Sequence, residues 1–174
     1  MTGVLPRVLG IDPGSYRTGY GIIEKRASQF IHVTHGVISL KSELPLPHRL
    51  KQIYAEIIRI IQIHGPKAMA IEEIFHHKSS QSALKLGHVR GISILAGINC
   101  DLEIYEYAPL AVKKAVVGYG RAAKEQVQQM IKILLGLPEI PQEDAADALA
   151  IAVCHLNQNP LLLPIQQGTS WGQK

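Results

Sequence analysis

Three apolar segments of this chain carry acids at their ends, and those acids constrain the fold more than any other feature. Asp12 closes Val8-Leu9-Gly10-Ile11, Glu72 or Glu73 closes Ala68-Met69-Ala70-Ile71, and Asp144 with Asp147 opens the run from Ala145 to Val153. Segments this apolar belong in a core, and packed side by side they bring their carboxylates together. Neighbouring carboxylates repel and resist ionisation unless cations or hydrogen bonds intervene. A metal site is the economical explanation of the pattern.

The remaining sequence reads as one globular domain. With 174 residues, 47% of them hydrophobic and 18% charged, the chain can bury a sizeable core. A single domain over residues 1–158 is expected, followed by a polar, frayed tail over 159–174. No apolar run approaches the roughly 20 residues that cross a bilayer, and no basic stretch followed by an apolar run stands at the start. The expectation is a soluble, cytoplasmic protein with no membrane partner. Cys100 and Cys154 lack a nearby second cysteine and sit in apolar stretches, which suits reduced core thiols. Eighteen Lys and Arg against fourteen Asp and Glu give a formal charge of +4. If the acids above gather in one place, the basic excess lies elsewhere on the surface, although an excess this modest does not by itself indicate nucleic acid.

Turn signals divide the chain. Residues 7–11 read as a buried strand stopped by Asp12-Pro13-Gly14-Ser15, and residues 18–25 and 30–40 continue as an antiparallel meander. Leu50, Ile53, Tyr54, Ile57, Ile58 and Ile61 recur at helical spacing until Gly65-Pro66. A fourth, central strand is expected over 67–75, a long helix over 80–98, a short strand over 103–107 and a helical turn from Pro109. Gly118 and Gly120 mark a loop. Val127, Met130, Ile131, Leu134 and Leu135 suit an amphipathic helix over 122–135, and Pro138 and Pro141 separate it from a last helix ending near His155. The sum is an α/β fold: a five-stranded mixed sheet, three strands in an antiparallel meander and two parallel, with helices on both faces.

Each acid also has an ordinary reading. Asp-Pro-Gly-Ser is a strong turn signal in its own right. Asp144 stands at a helix start, where acids interact favourably with the macrodipole. Glu72 and Glu73 point to opposite faces of a strand, so only one can join Asp12, and alternation alone does not choose between them. Asp147 is harder to explain away, because it lies a turn further in among alanines and shares a face with Asp144. Those small residues let the helix approach the sheet closely.

Three or four carboxylates without Cys or His select hard cations such as Mg²⁺ or Mn²⁺, and point to a phosphate ester substrate. Two such ions roughly 3.5–4 Å apart activate water on one side of a phosphodiester and stabilise the leaving oxygen on the other. Basic residues are placed to hold a nucleic-acid backbone: Lys78, Lys85 and Arg90 after the fourth strand, and Lys113, Lys114, Arg121 and Lys124 around Gly118-Tyr119-Gly120. From pattern alone Phe75 is a core residue, and His76 and His77 are loop or phosphate-contact residues.

The chain resembles the RuvC family of Holliday-junction resolvases, within the ribonuclease H-like superfamily. The resemblance rests on Leu9-Gly10-Ile11-Asp12-Pro13-Gly14-Ser15 with Thr18-Gly19-Tyr20-Gly21, on Ala70-Ile71-Glu72 with Phe75, on Ser82-Ala83-Leu84-Lys85-Leu86-Gly87, and on Asp144-Ala145-Ala146-Asp147-Ala148-Leu149-Ala150. It spans nearly the whole chain to about His155. It implies Glu72 rather than Glu73 as the metal-binding glutamate, and a tetrad of Asp12, Glu72, Asp144 and Asp147 holding two Mg²⁺ ions, with Mn²⁺ able to substitute. It implies that Phe75 stacks on a junction base, against the core reading, and that Lys113 and Lys124 contact DNA, with Lys78, Ser79, Lys85, Arg90 and Lys114 in the same surface. A homodimer making paired nicks in opposed strands, with 5′-phosphate and 3′-hydroxyl ends, is implied as well, as is work with the RuvA and RuvB branch-migration proteins on four-way junction DNA. Three departures from the family's pattern stand out: Ser79, His88-Val89 in place of Gln-Ala, and His76-His77. All lie on the DNA-facing segment and leave the four acids intact.

Two rival readings are weaker. In an actin-like or sugar-kinase ATPase the Asp12 turn would hold phosphate, but such enzymes need a second lobe, and no Gly-x-x-x-x-Gly-Lys loop is present. A non-catalytic DNA-structure binder would not need an intact four-acid set.

Overall fold

The computed structural model describes residues 6–73 and 80–158. Five strands form one sheet in the order β3-β2-β1-β4-β5. β1 (Val8–Asp12), β2 (Arg17–Arg26) and β3 (Gln29–Ser39) are the antiparallel meander, whereas β4 (Ala68–Glu72) and β5 (Glu103–Tyr107) extend it in parallel from β1. The middle of the sheet is therefore β1, with β4 beside it and hydrogen-bonded on both sides. The strand and helix expectations hold to within a few residues. The last helix runs to Gln158, about a turn past His155, and β4 stops at Glu72.

Two layers of helix cover the sheet. α1 (Leu46–His64) and α2 (Ser80–Asn99) lie on one face; α3 (Pro109–Val117), α4 (Lys124–Leu135) and α5 (Glu143–Gln158) lie on the other. Pro enters α1 and α3 in the first turn, where its missing N–H is harmless, and Gly65 (φ 58°) closes α1 in the left-handed conformation. The helical stripe of Ile53, Ile57, Ile60 and Ile61 packs against Leu9, Ile11, Ile22, Met69 and Ile71. Cys154 is buried and Cys100 half-buried, and both are free thiols. Among the described residues no helix is long and apolar enough to cross a membrane.

On the opposite face, small residues line the seam where α5 meets β1 and β2. Gly10 and Gly21 stand opposite each other in the β1–β2 ladder, and Gly19 stands opposite Asp12. A methyl group added to Gly10 would stand 1.9 Å from the Ala148 carbonyl oxygen, and one on Gly19 1.8 Å from that of Asp144. α5 thus rests directly on the strands, as its alanines promised.

Candidate active site

Parity along the strands chooses between the two glutamates. Residues paired across β1 and β4 share a face, so Ala70 lies with Gly10 on the α5 side, and Glu72, two residues on, lies with Asp12. Glu73 turns the other way, its N–H donating to the Tyr107 carbonyl at 2.9 Å. α5 then sets its first turn on Gly19, the residue opposite Asp12, which delivers Asp144 and Asp147 to the same place. The four acids line one pocket of about 270 Å³, together with Glu143, Lys113 and Lys124.

The electrostatics of this pocket are those of crowded anions. Burial pushes the Asp12 carboxyl up to about 8, and repulsion from Asp147, Glu72 and Asp144 adds to it, with Lys124 opposing. Glu72 is raised by burial and by Asp147, against Lys113 and Lys124. Asp147 is raised by burial foremost; Lys124 and Lys113 pull it down while Glu143 and Asp144 push it up. Glu143 pairs with Lys124, which holds Glu143 below the usual carboxylate range and raises the lysine in return. Arg17 pairs with Asp144, its Nε 2.8 Å from Oδ2.

The donor set fits a hard divalent cation: oxygen ligands only, concentrated negative charge, and carboxyls whose ionisation burial and repulsion oppose. Among the described residues no three His, Cys, Asp or Glu side chains are gathered closely enough to enclose one ion.

The turn that follows Asp12 is clamped from behind. Gly14 accepts a hydrogen bond from the Thr18 hydroxyl at 2.7 Å. The Arg49 guanidinium donates to the Ser15 carbonyl at 2.8 Å and lies 3.9 Å from the centre of the Tyr16 ring. Arg49 is buried at 4% exposure. Neither Arg17 nor Arg49 was singled out from sequence; a basic residue inside the apolar stripe of α1 was the available signal for Arg49.

The other expected DNA contacts are placed unevenly. Lys113 and Lys124 line the pocket, whereas Lys114 is exposed outside it. Arg90 is occupied close to the site, donating to the Glu72 carbonyl at 3.2 Å and pairing with the Glu106 carboxylate. Lys85 is half-buried on α2 and does not line the pocket. Phe75, His76, His77, Lys78, Ser79 and the 159–174 tail lie outside the described residues.

A mixed sheet in this strand order, flanked by helices and carrying its acids at the ends of the two central strands, is the ribonuclease H-like architecture. The sequence pattern of the family Crossover junction endodeoxyribonuclease RuvC matches residues 8–155. The chain is 56% identical over 149 residues to the crossover junction endodeoxyribonuclease RuvC of Syntrophotalea carbinolica, covering 86% of this chain and 92% of the relative. It is 56% identical over 151 residues to that of Geobacter sulfurreducens, covering 87% and 92%. Among solved structures, T. thermophilus RuvC in complex with a Holliday junction substrate superposes with a TM-score of 0.84 at 34% identity, covering 90% of this chain and 96% of that one. The yeast mitochondrial Holliday junction resolvase Ydc2 shares the fold, with a TM-score of 0.64 at 16% identity and coverage of 89% and 79%. The chain belongs to the RuvC family.

Proposed function

We propose that this chain is a crossover junction endodeoxyribonuclease that resolves four-way DNA junctions, with Asp12, Glu72, Asp144 and Asp147 as its metal-binding tetrad. The observation that carries the reading is the convergence of those acids, from β1, β4 and α5, on one pocket that also holds Lys113 and Lys124. Two Mg²⁺ ions held there, or Mn²⁺ in their place, would supply an activated water and a stabilised leaving oxygen. Lys113 and Lys124 lie where a phosphate backbone crossing the pocket would pass, and their charge offsets the repulsion between strand and acids. Arg90 serves by fixing the Glu72 backbone, and Lys85 and Lys114 extend the basic surface away from the reacting phosphate. By family resemblance Phe75, Lys78 and Ser79 complete the junction contact, and the RuvA and RuvB branch-migration proteins are its partners.

Paired cuts in opposed strands need two sites, and α2 offers a face for a second copy. Leu84, Gly87, Gly91, Leu95 and Ile98 follow at spacings of three and four; Leu84, Leu95 and Ile98 are exposed large hydrophobics, and side chains added at the two glycines would meet nothing within 4 Å. Two such stripes pack as a close helix pair. Changing Leu95→Glu is expected to yield a monomer by light scattering that has lost paired cutting.

The deciding experiment is cleavage of a mobile four-way junction against linear duplex of the same sequence, with Mg²⁺ and with chelator, mapping nicks on every strand. Symmetric, metal-dependent nicks confined to the junction are expected. Equal cutting of duplex would make this a general nuclease, and binding without cutting would make it a junction-binding module.

A further inference from the structure

Arg17 begins β2 at the rim of the acid pocket, and its Nε contacts Oδ2 of Asp144 at 2.8 Å. The contact is open to water, with the Arg17 side chain 49% exposed and that of Asp144 27% exposed. Its backbone position is nevertheless fixed: the preceding turn is held by Arg49 on Ser15, and the Leu40 N–H donates to the Tyr16 carbonyl at 2.9 Å. A firmly based arginine therefore pairs with one acid of the tetrad. Ion pairs this exposed are weak and give way to a stronger competitor. A divalent cation is that competitor, because its charge is doubled and the remaining acids of the pocket act with Asp144 on it. Among the described residues Asp144 is the tetrad member whose carboxylate pairs with an arginine. Once released, a guanidinium beside an acid pocket has one strong class of partner in a nucleic-acid complex, the backbone phosphate, which it can grip through two nitrogens.

We propose that Arg17 is a displaceable counter-ion: it holds Asp144 while the cluster lacks metal, and contacts a backbone phosphate of the bound strand once a divalent cation has taken Asp144. The proposal rests on the reading of Asp144 as a metal ligand. Arg17 is thus a positioning residue before metal arrives and a DNA contact afterwards, which makes metal loading and strand binding cooperative.

Mn²⁺ affinity, measured by calorimetry on the full chain without DNA, tests the first half. Arg17→Gln is expected to bind Mn²⁺ about threefold to tenfold more tightly, because the competitor is gone. The gain must vanish in the Asp144→Asn background; a gain of the same size there would mean a through-space charge effect and would overturn direct competition. Unchanged or weaker Mn²⁺ binding by Arg17→Gln would overturn it too. Asp144→Asn alone reports on the underlying reading, since unaltered Mn²⁺ binding by that variant would remove Asp144 from the ligand set. For the second half, affinity for a four-way junction is compared in chelator and in Ca²⁺, with intact strands verified on a denaturing gel. Arg17→Gln should weaken binding severalfold in Ca²⁺ and leave it nearly unchanged in chelator, whereas equal loss in both would overturn the exchange.

Discussion

The two faces of the sheet are filled on different principles. Beneath α1 and α2 the core is made of large aliphatic side chains, with Leu9, Ile11, Ile22, Ile53, Ile57, Met69 and Ile71 all fully buried. Beneath α5 the contact is backbone to backbone at Gly10 and Gly19, against Ala148 and Asp144, while Gly21 makes room for the Leu149 side chain. Volume lost on the first face leaves a cavity that neighbours partly fill. Volume added on the second has nowhere to go and shifts the helix that carries two of the four acids. Both faces bury apolar side chains, but the small-residue seam under α5 also sets where the carboxylates stand.

The largest expected effect tests whether the α5 face is a catalytic one. Asp12→Asn should lower junction cleavage by about a thousandfold or more while junction binding is kept or strengthened, since it removes a ligand and negative charge together. In chelator the same variant should melt at a higher temperature, because a repelled, buried carboxylate has been removed. Normal cutting by Asp12→Asn would sink the proposed site.

Ile57→Ala should cost about 2–5 kcal/mol by denaturant unfolding and leave the cleavage rate per folded molecule unchanged. Gly10→Ala should cost about 1–3 kcal/mol and also reduce cleavage per folded molecule, because overpacking moves α5. If the two variants affected cleavage equally after correction for folding, the division of labour between the faces would be wrong.

A smaller effect concerns the buried end of α5. Burial holds His155 down at about 4, with Glu103 opposing, and its Nδ1 lies 2.8 Å from the Tyr107 hydroxyl. Below the ordinary histidine range the unfolded chain takes up a proton that the native state refuses. Stability is therefore full above about pH 6.5 and falls as pH drops toward 4, by about 1–2 kcal/mol at pH 5. His155→Gln should flatten that part of the stability profile; an unchanged slope would assign it to other groups.

Much of the architecture was legible in the sequence because it is locally encoded. Proline and glycine bound the helices, and the acids interrupt runs too apolar to lie anywhere but a core. The choice between Glu72 and Glu73 was not legible from alternation, since β4 is covered on both sides; it needed the register of β4 against Gly10, a contact between distant parts of the chain. Gly10, Gly19 and Gly21 lie inside segments that read as strands, and only the packed structure shows that they admit a helix. Arg17 and Arg49 escaped notice for a related reason. Nothing in their immediate neighbours announces that one meets Asp144 and the other supports Ser15. The basic set divides likewise: Lys113 and Lys124 converge on the pocket, while Arg90 is taken up by Glu72 and Glu106.

The proposed tetrad is drawn from the first strand, the fourth and the last helix. Asp12 and Glu72 emerge from the ribosome early, but Asp144 and Asp147 come only with α5, which must then settle on strands already paired. A chain still being synthesised holds half a ligand set and no roof over it. On the proposed tetrad, the capacity to cut DNA waits until α5 has been made and has settled on the strands.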